Sequence, residues 1–388
     1  MSGADEKKTP TRAAASATAT GAPPGAAPSD AAASDAATSD AARAAAAAAA
    51  DPRAAVTYRV THETRYDYSQ PVTISHHLAH LRPRNLATQQ VHRHRLSVTP
   101  RPSTMTERRD YFGNAACYFT LEETHDELRA VADSLVTVAP PRLPDPDGTP
   151  PWESVRDMVR DTRRRDLLDA CQYTFASPNV PLPAEVRDLA AESFPPDRPL
   201  LEAVLDLTAR IHADFSYDPA ATTVATPLAE VLAERRGVCQ DFAHLQIACL
   251  RALGLPARYV SGYVLSRSLD EIDRVLEGAD ASHAWVSVYL PDGGWIDVDP
   301  TNDKLPTREH VTVAWGRDFS DVSPLKGVMM GGGAHTVSVG VTVAPVPADA
   351  AEAAAPPAHQ RRAERPEPTL QAEQQQQQRM GGADPLSP

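Results

Sequence analysis

One cysteine of the chain lies where a nucleophile would be expected. Cys239 follows Gly237, and the run after it, QDFAHLQIACLRALG, spaces its apolar residues as a helix does and ends at Gly254. We therefore expect the thiol at a helix N-terminus, where unpaired backbone N–H groups and the helix dipole favour a thiolate over a thiol. Because a thiolate is a nucleophile, this position suits attack on a substrate better than packing.

A nucleophilic cysteine needs a base, and the base needs an orienting group. Downstream, the runs SHAWVSVYL and WIDVDPTND flank the turn PDGG, which predicts a β-hairpin. Alternation puts the apolar side chains of both strands on one face and leaves His283, Asp297 and Asp299 on the other. The residues thus offer one base and two carboxylates, and geometry alone does not choose between Asp297 and Asp299.

Three neighbouring residues have more than one interpretation. Asp241 is a third carboxylate, but two residues from the thiol it is better placed to cap the helix. Trp285 suits a packed aromatic and a substrate contact equally well. The donors that would stabilise an oxyanion are expected among the backbone N–H groups around Cys239, with Gln240 as the adjacent side-chain candidate.

The blocks around these candidates resemble a known family. GVCQDFAHLQIACLRALGLPARYVSGYV and SHAWVSVYLPDGGWIDVDPTND resemble the core of the transglutaminase-like superfamily, in its bacterial branch. TYRVTHETRYDYSQPVTISHHLAHLRPR resembles the β-rich region that often precedes this core, and GRDFSDVSPLKGV resembles a segment found after it. The resemblance implies a papain-like core with a triad in which Cys239 is the nucleophile, His283 the base and Asp299 the orienting carboxylate.

The implied chemistry is acyl transfer through a thioester. The expected substrate is an amide of a peptide or protein, and the acyl-enzyme is resolved by water or by an amine acceptor. We expect hydrolysis, as in a peptidase or amidase, and we expect no metal or organic cofactor. The alternative is a non-catalytic papain-like binding module. Retention of all three candidate residues favours the enzyme.

Composition limits the partners of the chain. A net charge of −13 in 388 residues disfavours non-specific nucleic-acid binding. The four cysteines are scattered, so neither a disulfide framework nor a structural zinc site is expected; Cys249 belongs to the apolar stripe of its helix, and Cys117 and Cys171 have no assigned role. No apolar run is long enough to span a membrane and no signal peptide is evident, so we expect a cytoplasmic protein without a membrane partner.

Composition also suggests how the chain is divided. Residues 1–55 are rich in alanine and residues 346–388 in proline, alanine and glutamine, and we expect both tails to be disordered. Residues 56–140 alternate apolar and polar positions, which predicts an antiparallel β-sandwich-like domain. A proline-dense linker then leads into the catalytic core with its C-terminal strands, residues 141–345, so the fold class is α+β.

Two further patterns carry an open choice. His92 and His94 share a strand face, as two metal ligands would, but a solvated polar face needs the same spacing. Residues 266–281 form an acidic segment with Asp270, Glu271, Asp273, Glu277 and Asp280 just before His283. This segment is either a lid that favours cationic substrates or, as we expect, an exposed loop.

Overall fold

The computed structural model describes residues 51–350, except residues 52, 162–164, 220–225, 268, 270–275, 278–281, 292–293 and 348–349. The two low-complexity tails and most of the acidic segment, including Asp270, Glu271, Asp273 and Asp280, therefore lie outside the described residues. Within the described ranges, no helix combines the length and the apolar composition needed to cross a bilayer.

The described residues form strands, α-helices and two short 3-10 helices. The strands are β1 (Val56–Ala79), β2 (Gln89–Thr99), β3 (Thr104–Arg109), β4 (Ala115–Leu121), β5 (His125–Val138), β6 (Ser216–Tyr217), β7 (Arg236–Gly237), β8 (Ala257–Val264), β9 (His283–Leu290), β10 (Gly294–Val298), β11 (His310–Gly316), β12 (Leu325–Gly331) and β13 (His335–Val346). The α-helices are α1 (Trp152–Arg160), α2 (Arg165–Cys171), α3 (Ala184–Ala191), α4 (Leu200–Asp214), α5 (Leu228–Glu234), α6 (Cys239–Ala252) and α7 (Phe319–Val322). The 3-10 helices are Pro146–Gly148 and Gln172–Thr174.

The N-terminal strands form a curled antiparallel sheet around the long strand β1. The first half of β1 pairs with β5 and β13, the second half pairs with β4 and β12, and the register shifts between Asp67 and Val72. Strands β2 and β3 extend the sheet beyond β5 and β4. The antiparallel β unit that the alternation of apolar and polar residues predicts is thus present. Its last two strands come from the C-terminal part of the chain, so the proposed boundary near residue 140 stays a prediction.

A second antiparallel sheet has the order β10-β9-β8-β11 and supports the helical part of the chain. The predicted hairpin is its β9–β10 pair, in which Val288 faces Ile296 and Val286 faces Val298. These four side chains point into the main hydrophobic core. The opposite face of the hairpin therefore carries the polar residues, as the alternation predicts.

Helix α6 lies in the centre of the core. It contacts β8 and β9 on one side and α3, α4 and α5 on the other, and nearly all of its side chains are buried. The helix is therefore buried on nearly all sides, and not only along the predicted apolar stripe. The buried polar side chains are paired: Gln246 Nε2 donates to Thr208 Oγ1 at 2.7 Å, and the Arg251 guanidinium donates to carbonyl oxygens that include Ala257 O at 2.8 Å.

The two sheets are joined by side-chain contacts as well as by one shared core. Tyr58 of β1 donates its hydroxyl proton to the carbonyl oxygen of Arg308 at 2.9 Å. The Gln89 side-chain amide pairs with both peptide groups of Thr312, since Nε2 donates to Thr312 O and Oε1 accepts from Thr312 N, each at 2.8 Å. Strand β11 is an edge strand, so this amide supplies partners that a further strand would otherwise provide.

We expect Gln89→Ala to lower the free energy of unfolding by about 1–3 kcal/mol, because it leaves the buried N–H of Thr312 unpaired, whereas Thr312 O still accepts from the Arg84 N–H at 3.1 Å. Urea denaturation of the full chain measures this difference. The neighbouring Gln90 is exposed and provides the matched control, since Gln90→Ala should change stability by less than about 0.5 kcal/mol. Equal effects of the two substitutions would contradict this role for Gln89.

Candidate active site

Cys239 is the first residue of α6, as the sequence predicts. Val238 precedes the helix in an extended conformation, and its backbone N–H donates to Asp241 Oδ2 at 2.9 Å. Asp241 therefore caps the helix. A side chain at Gly237 would have its Cβ 2.7 Å from the same oxygen, so glycine leaves room for the cap. The cap orients the helix start that carries the thiol, and 8% of Cys239 remains exposed.

His283 is the first residue of β9 and is buried. Its Nε2 lies 2.8 Å from Asp299 Oδ2. Its other ring nitrogen, Nδ1, has no partner of good geometry among the described residues, while the Cys239 thiol lies close enough for hydrogen bonding to affect the imidazole. The ring therefore stands between the sulfur and the carboxylate, with one nitrogen for each.

Asp299 follows β10 and is the most heavily hydrogen-bonded group of the site. Oδ1 accepts from the backbone N–H groups of Thr301 at 3.0 Å and Asn302 at 3.2 Å. Oδ2 lies 2.8 Å from His283, 2.8 Å from Asn302 Nδ2 and 3.1 Å from His310 Nε2. A carboxylate held by this many donors is fixed in position and favoured in its charged form.

The structure shows which of the two carboxylates, Asp297 or Asp299, contacts His283, a choice that spacing alone left open. Asp297 Oδ2 accepts the indole N–H of Trp285 at 3.0 Å and makes no contact with His283 among the described hydrogen bonds. Asp299 alone of the two contacts the imidazole. The strand alternation is obeyed by both residues, so only the three-dimensional path of the chain after β10 distinguishes them.

Charge and burial act in opposite directions on the imidazole. Burial lowers the pKa of His283, but the charge of Asp299, its hydrogen bond and the hydrogen bond to Cys239 together raise it to about 10. Burial raises the pKa of Asp299, yet His283 and His310 hold it well below its usual value. At neutral pH the two groups are therefore an imidazolium and a carboxylate.

Two residues of this cluster are not identifiable from the sequence. Asn302 and His310 both contact Asp299, and both are buried. His310 begins β11, and burial lowers its pKa, so its neutral ring donates from Nε2 to the carboxylate. A single histidine at a strand start carries no signal of this role. Asn302 lies within the DPTN block, but nothing in its spacing separates it from a turn residue.

His283, Asp299 and His310 each offer one possible metal-ligand atom, and these three atoms lie within 4.8 Å of one another, a spacing that could also suit a metal ion. The contacts favour hydrogen bonding instead, because Asp299 Oδ2 already accepts from both rings and from Asn302. His92 and His94 each use one ring nitrogen for a hydroxyl group: His92 Nε2 lies 2.8 Å from Thr137 Oγ1, and His94 Nδ1 lies 2.9 Å from Ser134 Oγ.

Trp285 is a packed aromatic on the polar face of β9. It is fully buried, its ring meets the His310 ring edge-on at 5.2 Å, and it lies over Gly262 of the neighbouring strand. A Cβ atom at Gly262 would lie 2.4 Å from the indole and 2.2 Å from the carbonyl oxygen of Val311. Glycine at this position therefore lets the indole reach both Asp297 and His310.

Gly262→Ala should destabilise the protein by about 2–3 kcal/mol or more, because backbone and indole leave no space for the added methyl group. Thermal or urea unfolding measures the loss. Gly340 of β13 has open space around it, so Gly340→Ala should stay within about 0.5 kcal/mol of the parent protein. A Gly262→Ala variant of undiminished stability would show that Trp285 does not depend on this close approach.

The acidic segment reaches the site at one described point. The backbone N–H of Glu277 donates to Asn302 Oδ1 at 2.9 Å, and Asn302 Nδ2 donates to Glu277 O at 3.4 Å. Leu269 and Leu276 are buried. Leu269 and Leu276 are thus packed against the core, whereas Glu277 is exposed. The choice between a lid and an exposed loop concerns residues outside the described ranges.

Comparisons with known proteins agree with this architecture. Residues 58–137 match the family model of the bacterial transglutaminase-like N-terminal region, and residues 187–300 match that of the transglutaminase-like superfamily. An uncharacterized protein of Mycobacterium tuberculosis is 41% identical over 308 residues, which cover 76% of this chain and 95% of that protein. A protein-glutamine gamma-glutamyltransferase of Pseudomonas aeruginosa is 32% identical over 109 residues, covering 26% of this chain and 16% of the other.

The fold also occurs in a solved structure. The crystal structure of a proposed cysteine protease from Cytophaga hutchinsonii is similar with a TM-score of 0.60 at 23% identity, covering 76% of this chain and 92% of that one. This similarity shows a shared fold, and the expected papain-like core with its antiparallel β region is confirmed. With these matches, the chain belongs to the transglutaminase-like superfamily and carries the bacterial transglutaminase-like N-terminal region.

Proposed function

We propose that the chain is a cysteine enzyme that acts on amide bonds of peptides or proteins through a thioester acyl-enzyme. The observation that carries this proposal is the buried pair of His283 and Asp299, 2.8 Å apart, beside Cys239 at the first position of α6. In our proposal Cys239 is the nucleophile, His283 exchanges protons, and Asp299 holds the imidazolium and its orientation. The helix N-terminus and the raised pKa of His283 both favour a thiolate–imidazolium pair.

In the proposed first half-reaction, the Cys239 thiolate attacks the amide carbonyl carbon and a C–S bond forms. The backbone N–H of Cys239, at the first position of α6, is the proposed donor to the oxyanion. His283 then gives its Nδ1 proton to the departing nitrogen, the C–N bond breaks, and a thioester remains. Asp299 stays ionised throughout and keeps the ring in one tautomer.

In the second half-reaction, neutral His283 takes a proton from water or from an amine that attacks the thioester, and the thiolate of Cys239 leaves. We propose hydrolysis, as expected from the sequence. The segment similar to the Pseudomonas aeruginosa gamma-glutamyltransferase supports transfer to an amine as the second candidate. Which acceptor is used depends on how far the cleft excludes water.

A peptide library decides between these outcomes. The full chain is incubated with glutamine-containing peptides, with and without a labelled primary amine, and the products are analysed by mass spectrometry. Cleavage or deamidation alone indicates hydrolysis, whereas incorporation of the label indicates transfer. The Cys239→Ala variant should give no product. If the parent protein and Cys239→Ala gave the same products, or if neither gave any, the proposed enzyme would be refuted in favour of a binding module.

We also propose a cytoplasmic location. All four cysteines, Cys117, Cys171, Cys239 and Cys249, are free thiols, which suits a reducing compartment. The net charge of −13 further supports peptide or protein substrates over nucleic acid. Fractionation of cells with an antibody to the native chain tests the location, and recovery from outside the cytoplasm would contradict it.

A further inference from the structure

A cavity of about 350 Å³ lies on the outer face of the second sheet. Strands β8, β10 and β11 form its floor, and the segments before β2 and after β5 form its walls. Arg258 lies on the floor, so we call it the Arg258 pocket. Cys239, His283 and Asp299 are not among the residues that line it.

Arg258 is a buried cation whose N–H groups lack partners. It is 9% exposed, and its guanidinium carbon lies 4.2 Å from the ring centre of Trp295 and 3.8 Å from that of Trp315. It makes no hydrogen bond or ion pair with any residue in the described ranges, and its Nε is completely buried without a partner. Stacking on the two rings stabilises the charge, but the five N–H groups have no hydrogen-bond partner among the described residues, and Nε is also closed off from solvent.

Neighbouring arginines show that this state is unusual in the protein. Arg84 stacks on Trp315 at 3.4 Å, but it also donates to the carbonyl oxygen of Phe112 and to Asn114. Arg251 is as deeply buried as Arg258, yet it donates five hydrogen bonds. An unpaired buried donor costs about 1–3 kcal/mol, and more when it is charged. Arg258 therefore lacks a hydrogen-bond acceptor, and the adjoining cavity has room for one.

The carboxylate nearest to Arg258 does not fill this role. Asp297 lies on the same face of the sheet, close enough for its charge to act on Arg258, yet the two form no ion pair. Asp297 Oδ2 is instead occupied by the indole N–H of Trp285 at 3.0 Å. Arg142 on the wall of the pocket adds a second positive charge. Asp297 also lines the pocket and opposes an incoming anion, but Arg258 and Arg142 together outweigh its single negative charge, so the balance of charge favours an anion.

We propose that the Arg258 pocket binds a carboxylate carried on an apolar body. The two tryptophan rings hold the guanidinium in place, and its planar fork of N–H groups matches the planar, two-oxygen geometry of a carboxylate. The pocket surface is about equally polar and apolar, and its apolar part includes Leu86, Val138, Pro141, Leu143 and Pro306. A small organic acid and the carboxyl terminus of a peptide share this chemistry, and the volume admits either a small acid or one terminal residue.

The pocket meets the candidate active site at one residue. His310 lines the pocket, and its Nε2 lies 3.1 Å from Asp299. Its Nδ1 is buried and has no hydrogen-bond partner among the described residues. The ring is thus a wall of the pocket on one side and a support of Asp299 on the other. Binding in the pocket does not require catalysis, so the proposal is independent of the proposed function.

Calorimetric titration of the full chain tests the proposal. The probes are 4-methylpentanoate, a short peptide that ends in leucine with a free carboxyl group, and the same peptide with an amidated carboxyl group. We expect a Kd of roughly 0.01–1 mM for at least one free-carboxyl probe, and binding at least about 10-fold weaker for the amide. Binding of the small acid alone, or of the free-carboxyl peptide alone, identifies the source of the carboxylate. No binding by either acid, or equal binding of the amide, overturns the proposal.

Substitutions place the binding at the pocket. Arg258→Lys keeps the charge but loses the flat pair of donors, so affinity should fall at least about 10-fold. Arg142 is exposed, so Arg142→Ala should fold normally and weaken binding about 2–5-fold, which keeps the test valid if the Arg258 variant is unstable. Arg101→Ala, at an exposed position outside the pocket, and Cys239→Ala should bind as the parent does. Unchanged affinity in both pocket variants would overturn the assignment.

Discussion

The His283→Ala variant should lose the rapid alkylation of Cys239 that we expect of the parent protein at neutral pH. The imidazolium stabilises the thiolate, and the thiolate is the species that reacts. Removing the ring should slow alkylation by about 10²–10⁴-fold, the range found for positioned acid–base groups. Timed treatment with iodoacetamide, followed by peptide mass mapping, measures the rate at each cysteine separately.

The other cysteines provide internal controls for this experiment. Burial raises the pKa of Cys249 to about 12, so it should stay unlabelled in the folded chain. Cys171 is partly exposed and provides the reference rate, whereas burial and the nearby Glu107 raise the pKa of the partly exposed Cys117, which should react more slowly. His92→Ala removes a histidine whose ring, within the described ranges, is hydrogen-bonded to Thr137, and it should leave the Cys239 rate unchanged. A native Cys239 that reacts no faster than Cys171 would remove the support for a nucleophilic role.

Asp299→Asn should move the alkaline limit of activity to lower pH. With Asp299 in place, the pKa of His283 is raised to about 10, so the imidazolium persists through neutral pH and is lost as the pH rises through that value. Without the negative charge of Asp299, only Cys239 still opposes the lowering of the His283 pKa by burial. The alkaline limb of kcat/KM, or of Cys239 alkylation, should therefore shift downward by about 1–3 pH units.

At neutral pH the same substitution should reduce turnover by about 10³–10⁴-fold, since the ring also loses its orienting partner. Asp297→Asn is the matched control, because residue 297 lies on the same face of the hairpin and its amide oxygen can still accept from Trp285. Its pH profile should resemble that of the parent protein. An unshifted limb in Asp299→Asn, or an equal shift in Asp297→Asn, would mean that Asp299 does not set the charge state of His283.

The elements that carry the site could be predicted because their signals are local. The apolar spacing after Cys239 and the turn PDGG between two alternating strands fix a helix start and a hairpin, and both occur where the sequence places them. The capping role of Asp241 follows from the same local logic. These features depend on residues only a few positions apart, so alternation and propensity are enough to find them.

Contacts between distant segments could not be predicted in this way. The choice of Asp299 over Asp297 depends on how the chain turns after β10, and alternation gives both residues the same face. His310 reaches Asp299 because β11 pairs with β8 at the far edge of the sheet. The isolation of Arg258 is also a property of the folded molecule, since no sequence pattern reveals which side chains lack a partner.

The pairing of β1 with β12 and β13 determines when the first sheet can be completed during synthesis. Strand β1 begins at Val56, whereas its partner residues in β13 extend to Val346. A nascent chain thus carries β1 with one unpaired edge until almost all of the described residues have left the ribosome. An open strand edge is a template for association with other chains. Until β12 and β13 have been made, β1 is therefore open to association with other chains.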